Sequence, residues 1–548
     1  MRLEARVGTV TLELRMPADF FAAFVAGERA AAALLPARPL DEGAWDDAVR
    51  RASRRRIAGG LVDELRRQAS DLPPSSARER HLDALGDSGA TVVVTGQQTG
   101  LFLGPLYTLH KAATAVARAR WLSERSGRPC IPVFWLQTED HDWAEVSRAE
   151  VLVPSGRRAF DLPPEPPEEA RVSMAERRLP PEVVALTAGL ADVLDGLPAA
   201  SDVAELVARH YRSGRPPGAA FAGLLSELFA EEGLVVLDPR TPAVMHLAAG
   251  VLRRALEEHQ AIARALGERA TELAAAGFAE QVHTRPEASL VFFHPRGPGG
   301  PRHRLLRTHA GYATPEGAFS RSELLARLET EPLSFSTSAL LRPLVQDTLL
   351  PTAAYVGGPA ECAYCAQLPP LHALFGLELP MIAPRARFRL LDEATRRRLA
   401  QLGLRPEDTD RPREELIARV VHRPGWLPSH SALRERLLGP LERELDGLLP
   451  HAVALDPKLE RNVRKTRVHA QRGVERFLGR LERTVLARDR AVEERLDRVL
   501  TTLRPGGIPQ ERVYAFPGFA ARVGPRALVE ALVAGAGPLS PAVRSIEL

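Results

Sequence analysis

Two apolar runs, Thr91–Val94 and Ile131–Leu136, flank one Ala-rich segment that ends at Gly127. Runs of β-branched and aromatic residues with no polar alternation suit strands covered on both faces, as in a parallel sheet buried between helices. Between them, Thr95-Gly96-Gln97-Gln98-Thr99-Gly100 breaks the first strand. Gly104-Pro105 then opens a helix predicted to reach about Ser126, with proline in its first turn and Gly127 as its stop. Strand, crossover helix and parallel strand make a right-handed βαβ unit, so both strand ends open on one edge of the sheet. The Gly96–Gly104 loop and the cluster Glu139-Asp140-His141-Asp142 are therefore expected to face one crevice. The expected fold class is α/β, with a Rossmann-like parallel sheet.

The rest of the chain divides around this unit. The first 90 residues read as helical, with an apolar stretch from Phe20 to Leu35. Residues 150–215 and 260–335 read as insertions, and Arg296–Pro301 as a hairpin or mobile turn rather than a phosphate loop. Gly233–Pro239, with Asp238 at its end, is predicted to return to the same sheet. From about Arg387 apolar residues recur at steps of three and four: Leu433, Leu437, Leu441, Leu445 and Leu448, then Leu478, Leu481 and Val485. Pro450 and Pro457 are expected to separate an antiparallel pair of long helices that stops at Pro505. The expected domains are a core over 1–385, a helical coiled coil over 386–512, and a segment over 513–548 that returns to the core.

Composition excludes several functions. The chain has 548 residues, 45% of them hydrophobic, enough for two or three cores. Its net charge of +4 is small, although Arg385–Arg512 holds 29 Lys and Arg against 20 Asp and Glu. Aromatic residues are not interleaved with the basic ones, so no nucleic-acid partner is expected. No apolar run approaches the roughly 20 residues of a membrane span, and no cationic leader is evident. The expected location is cytoplasmic, without a membrane partner. Three cysteines make no disulfide framework, and Cys362 and Cys365 read as packed thiols.

Gly96, Gly100 and Gly104 offer close backbone approach to a phosphate or carboxylate at a helix N-terminus. The loop has neither the Walker nor the dinucleotide pattern. Glu139, Asp140, His141 and Asp142 offer a general base, a grip on an ammonium group, or a structural network. No metal site is expected, because no His-x-x-x-His or thiol set accompanies them. Tyr355-Val356-Gly357-Gly358-Pro359-Ala360-Glu361 reads as a second strand, glycine turn and helix start. Arg342, Asp347 and Arg385 are either substrate contacts or a buried salt-bridge network. Lys111 is one of three lysines among 73 Lys and Arg. Its side chain is expected to reach back toward an anion in the loop, and Lys111→Arg to fold normally but lose most turnover.

The string Val94-Thr95-Gly96-Gln97-Gln98-x-Gly100-Leu101-Phe102-x-Gly104-Pro105-Leu106-Tyr107-Thr108-x-x-Lys111 resembles the bacillithiol-biosynthesis cysteine-adding enzyme family, BshC. Pro132–Trp135, Glu139–Asp142, Leu341-Arg342-Pro343-Leu344-x-Gln346-Asp347, Ala354–Glu361, Pro384-Arg385 and Gln510-Glu511-Arg512 extend the resemblance in order. It implies a nucleotidyltransferase-like Rossmann core with inserted segments, a coiled-coil domain, and addition of cysteine to the amino group of glucosamine malate. On this reading Lys111, Asp140, His141 and Asp142 are the catalytic candidates. Ligand contacts are expected from Thr95, Gly96, Gln97, Gln98, Gly100 and Gly104, then from Tyr107, Thr108 and Glu139. Arg342, Asp347, Tyr355, Gly357, Gly358, Glu361 and Arg385 complete the set. ATP and Mg²⁺ are expected on chemical grounds alone, since amide formation from a free carboxylate runs uphill in water. An open apolar stripe on the helical pair predicts a homodimer. The competing readings are a nucleotidyltransferase acting on another small acid, and a non-catalytic scaffold with a nucleotide-binding core.

Overall fold

The computed structural model describes residues 19–35, 37–422, 427–537, 540 and 542–548. Its centre is a parallel sheet of five strands: β1 Thr91–Gln97, β2 Cys130–Leu136, β3 Val235–Leu237, β4 Thr352–Gly357 and β5 Met381–Pro384. They lie side by side as β5-β4-β1-β2-β3. β1 and β2 pair in unbroken register from Thr91 opposite Cys130 to Gln97 opposite Leu136. Because side chains alternate across a strand, each run feeds two cores. Ile131, Val133 and Trp135 join one, and Phe134 and Leu136 the other. Burying each such side chain contributes about 1.5–3 kcal/mol, which is why both faces of these runs are mostly apolar.

Two local expectations change. β1 continues through Thr95, Gly96 and Gln97, so these residues belong to the sheet and not to a loop. The first strand is longer because Gly96 lets the backbone lie against the Trp135 carbonyl, where a Cβ would clash. The crossover helix is Tyr107–Ser126, ending at Gly127 in the left-handed region. Pro105 lies two residues before it, after a cis peptide bond to Gly104.

Helices Phe20–Ala26 and Arg29–Leu34 join the first core. Strands Ala288–Phe293 and His303–Arg307 pair antiparallel, with residues 296–301 as the hairpin turn between them. They belong to a second five-stranded sheet with Tyr312–Thr314, Gly317–Phe319 and Phe335–Thr337.

Helices His430–Leu455 and Leu459–Ala487 form the long pair. Arg434–Glu475, Gln471–Glu442 and Arg467–Asp446 contacts match their two ends antiparallel. Pro450 does not separate them: it lies inside the first helix, as does Pro440, and the break falls at Asp456. An exposed helix tolerates these prolines because carbonyls left without a donor turn to water. Helix Arg490–Leu503 stops before Pro505. The chain then returns: Val543–Glu547 pairs with Arg387–Leu391, and Arg118 of the crossover helix donates to the Ala536 and Gly537 carbonyls.

Candidate active site

Two cavities open at the carboxyl edge of the central sheet. The first, about 290 Å³, lies between the ends of β1 and β4 and is lined by Gln97, Gln98, Tyr107, Lys111, Glu361 and Arg385, among others. The second, about 240 Å³, lies between the end of β2 and the second sheet and contains Glu139, Asp140, His141 and Arg302. Gln137, Ala339 and Arg342 line both, so the cavities share a wall.

Lys111, 3% exposed, points back along its helix, as a helical side chain must. Its Nζ donates to the Gly96 carbonyl at 2.9 Å and to Gln97 Oε1 at 2.7 Å, and lies 2.6 Å from Glu361 Oε2. These three acceptors match the three hydrogens of the ammonium. Burial pulls the Lys111 pKa down, and Glu361 opposes that pull. Burial alone would raise the Glu361 carboxyl, but Lys111, the Gly358 N–H at 2.7 Å and the Tyr355 hydroxyl at 2.8 Å outweigh it and hold it low. Gly357 and Gly358 let the backbone turn tightly onto Glu361, whose Cβ a side chain at Gly357 would meet at 3.0 Å.

Arg342 and Arg385 bring unspent donors to the first cavity. Arg342 Nη1 donates to Gln346 at 2.9 Å, while its Nη2 is buried beside Tyr355 and Tyr364 with no hydrogen bond of ordinary geometry among the described residues. Arg385 donates to both oxygens of Glu511, at 2.8 and 2.7 Å, and its Nε is likewise buried without a partner. Donors left unsatisfied in a polar cavity favour an anionic ligand such as a carboxylate or phosphate.

In the second cavity Asp140 accepts from Gln98 Nε2 at 2.6 Å and from the His141 N–H at 2.7 Å. Arg302 Nη1 lies 3.5 Å from Asp140 and 3.4 Å from His141 Nδ1. Burial, then the Arg302 charge, lowers the His141 pKa. That shift favours the neutral imidazole, the form able to accept a proton. Glu139 is turned away to the second sheet, where Thr337 donates through N–H at 3.1 Å and through its hydroxyl at 2.6 Å.

Several expected contacts lie outside the cavities. Asp142 is exposed and caps the short helix Trp143–Val146 through the Glu145 N–H. Thr95 donates to the Val356 carbonyl at 2.9 Å, tying β1 to β4. Asp347 accepts from His372 at 2.9 Å and from Gln346 at 2.8 Å within a buried network. Gly100 and Gly104 form no open cradle. A Cβ on Gly100 would overlap the Gly104 carbonyl, Tyr211 donates to the Gly100 carbonyl at 3.1 Å, and the Leu106 N–H donates to the Tyr514 carbonyl at 2.6 Å. The loop's glycines serve close backbone packing. Thr108 is fully buried beside this loop.

Sequence reasoning did not single out Gln137, Tyr364, Arg302 or Arg512 as site residues. Gln137 directly follows β2, and Arg512 belongs to the Gln510-Glu511-Arg512 motif, so both carried a local signal. Arg302 carried none, because a hairpin of the other sheet brings it in.

A parallel sheet with an arginine-lined crevice at its carboxyl edge, carrying an antiparallel helical arm, defines a Rossmann-like core joined to a coiled-coil domain. Residues 7–386 match the family model for the bacillithiol biosynthesis BshC N-terminal Rossmann-like domain. Residues 388–541 match that for the BshC C-terminal coiled-coil domain. The chain belongs to the bacillithiol biosynthesis BshC family. A relative from Solibacter usitatus, named "Putative cysteine ligase BshC", is 34% identical over 476 residues, covering 85% of this chain and 84% of the relative. Relatives of the same name from Salinibacter ruber and Geobacillus thermodenitrificans are 33% and 30% identical. They cover 87% and 83% of this chain, and 86% and 84% of their own lengths.

Proposed function

We propose that this protein is a cysteine ligase of bacillithiol biosynthesis, joining the cysteine carboxyl to the amino group of glucosamine malate. The observation that carries the reading is the pair of cavities sharing Arg342 as a wall. One is rich in cationic donors and the other holds an imidazole whose neutral form is favoured, an arrangement suited to two substrates reacting end to end. The name borne by the relatives supports the same reaction.

Arg342 Nη2 and Arg385 Nε hold the anionic partner, a carboxylate or a phosphate. His141 accepts the proton that the attacking ammonium must lose, and Asp140 orients His141 through its backbone N–H. Lys111 and Glu361 position Gln97 and the helix that follows β4. Activation of the carboxyl as an adenylate or acyl phosphate supplies the driving force, with ATP and Mg²⁺ as the expected source and a nucleotide bound in the first cavity. Purified protein given ATP, cysteine and glucosamine malate is expected to form the amide, read by mass spectrometry. Pyrophosphate release with no amide would favour a nucleotidyltransferase acting on another acid. Absence of thermal stabilisation by ATP or either substrate would favour a scaffold.

We also propose a cytoplasmic homodimer. Leu437, Leu441, Leu448 and Phe477 are 39–55% exposed on the long helices, and a second copy covers such a stripe most simply. Light scattering at micromolar concentration tests it: a monomer ends the proposal, and Leu441→Asp with Leu448→Asp is expected to dissociate the dimer.

A further inference from the structure

Away from the crevice, three helices converge at the base of the arm. His422 follows helix Arg413–Val421, His430 opens helix His430–Leu455, and Glu482 projects from helix Leu459–Ala487. His422 Nε2 and His430 Nδ1 each lie 2.7 Å from the same oxygen, Glu482 Oε1. The side chains of His422 and Glu482 are 7% and 5% exposed, and that of His430 35%. Among the described residues this is the group of His, Cys, Asp and Glu whose ligating atoms all lie within 4.8 Å of one another.

A second carboxylate stands behind the first. Glu475 Oε2 lies 3.1 Å from His430 Nε2, and Arg434 Nε holds its other oxygen at 3.2 Å. A metal-bound histidine commonly directs its outer N–H to a carboxylate, which fixes the tautomer and turns the inner lone pair toward the ion.

We propose that His422, His430 and Glu482 bind one divalent transition-metal ion of the zinc type, with solvent in the fourth position. Two imidazoles and one carboxylate suit such an ion better than calcium or magnesium, which prefer oxygen. Bonds of about 2.0–2.2 Å to a tetrahedral ion require Glu482 Oε1 to part by under about 1 Å from the two imidazole nitrogens, which now stand 2.7 Å from it. The ion would staple the start and the return of the arm to the helix Arg413–Val421, and so set the arm's direction. Spacing along the chain hides this site, because its third ligand lies far beyond the two histidines.

Chelator-stripped full-length protein is titrated with Co²⁺, whose visible absorption reports coordination. One equivalent is expected to bind with the strong bands of a four-coordinate site, to raise the melting midpoint, and to be displaced by Zn²⁺. His430→Gln, at a partly exposed position, and Glu482→Gln should abolish the bands. Glu475→Gln should weaken binding about 10–100-fold. His141→Ala, in the crevice, should leave the bands intact. Failure to bind equimolar Co²⁺ at micromolar protein, or bands unchanged in folded His430→Gln and Glu482→Gln, overturns the proposal.

Discussion

Lys111 Nζ stands 2.6 Å from Glu361 Oε2, so the helices that follow β1 and β4 are clamped to each other at the carboxyl edge of the sheet. The clamp lies at the wall of the first cavity, and both charges are almost wholly committed to protein partners. On this geometry Lys111 is expected to act as a positioning residue, unlike a cation waiting for an anion in the glycine loop.

Lys111→Arg should consequently damage folding as well as turnover. A planar guanidinium has neither the compactness nor the donor directions to serve Gly96, Gln97 and Glu361 at once. Thermal unfolding should shift down by several degrees and turnover should largely vanish. Lys111→Met leaves Glu361 buried without its cation and should cost about 3–5 kcal/mol, measured by denaturant unfolding. Wild-type midpoints in both variants would show that the clamp contributes nothing.

Asp140 and Asp142 should separate cleanly. Asn caps a helix as well as Asp, so Asp142→Asn should change stability by no more than about 0.5 kcal/mol and leave turnover near wild type. Asp140→Asn removes the charge facing Arg302 and His141, and should lower turnover by about tenfold or more with a near-native melting curve. Equal turnover in the two variants would remove Asp140 from the mechanism.

The rate should rise with pH through the His141 pKa, because only the neutral imidazole accepts a proton. Burial and Arg302 lower that pKa, so the acid limb of kcat/KM should lie below about 6.5, the ordinary histidine value. His141→Gln should abolish the limb along with most of the rate. An acid limb that persists in this variant would assign it to another group.

Glu511 should dominate acid sensitivity of the core. Burial pushes its carboxyl up, but Arg385 and His110 outweigh burial and hold it far below the usual carboxylate range. A carboxyl with a depressed folded pKa contributes its full stability above its unfolded value of about 4.3 and loses it as pH falls through the folded value. Glu511→Gln should destabilise the protein by about 3–5 kcal/mol at pH 7, with a smaller difference from wild type in strong acid. Denaturant unfolding at several pH values reads both effects.

Much of the architecture was legible locally. Thr91–Val94 and Ile131–Leu136 have the composition of strands buried on both faces, and Gly127 stops their crossover helix. The Arg296–Pro301 turn was readable because glycine and proline punctuate the chain directly. Exact ends were less legible. Gly96 signals a break, yet the Trp135 carbonyl beside it makes it a sheet residue, and Pro450 continues a helix that its isolated propensity would end.

By itself the sequence determined the βαβ order, the edge on which its polar residues emerge, and the heptad character of the later helices. These depend on spacing between near neighbours, which strand and helix geometry translate directly into faces. Only the tertiary structure decided which polar side chains meet. It removed Asp142, Asp347, Gly100 and Gly104 from the cavities, brought Arg302 in from a second sheet, and paired Arg385 with Glu511. Residues far apart in the chain come together through sheet order and side-chain direction, and a buried charge takes its role from whichever partner packing places beside it.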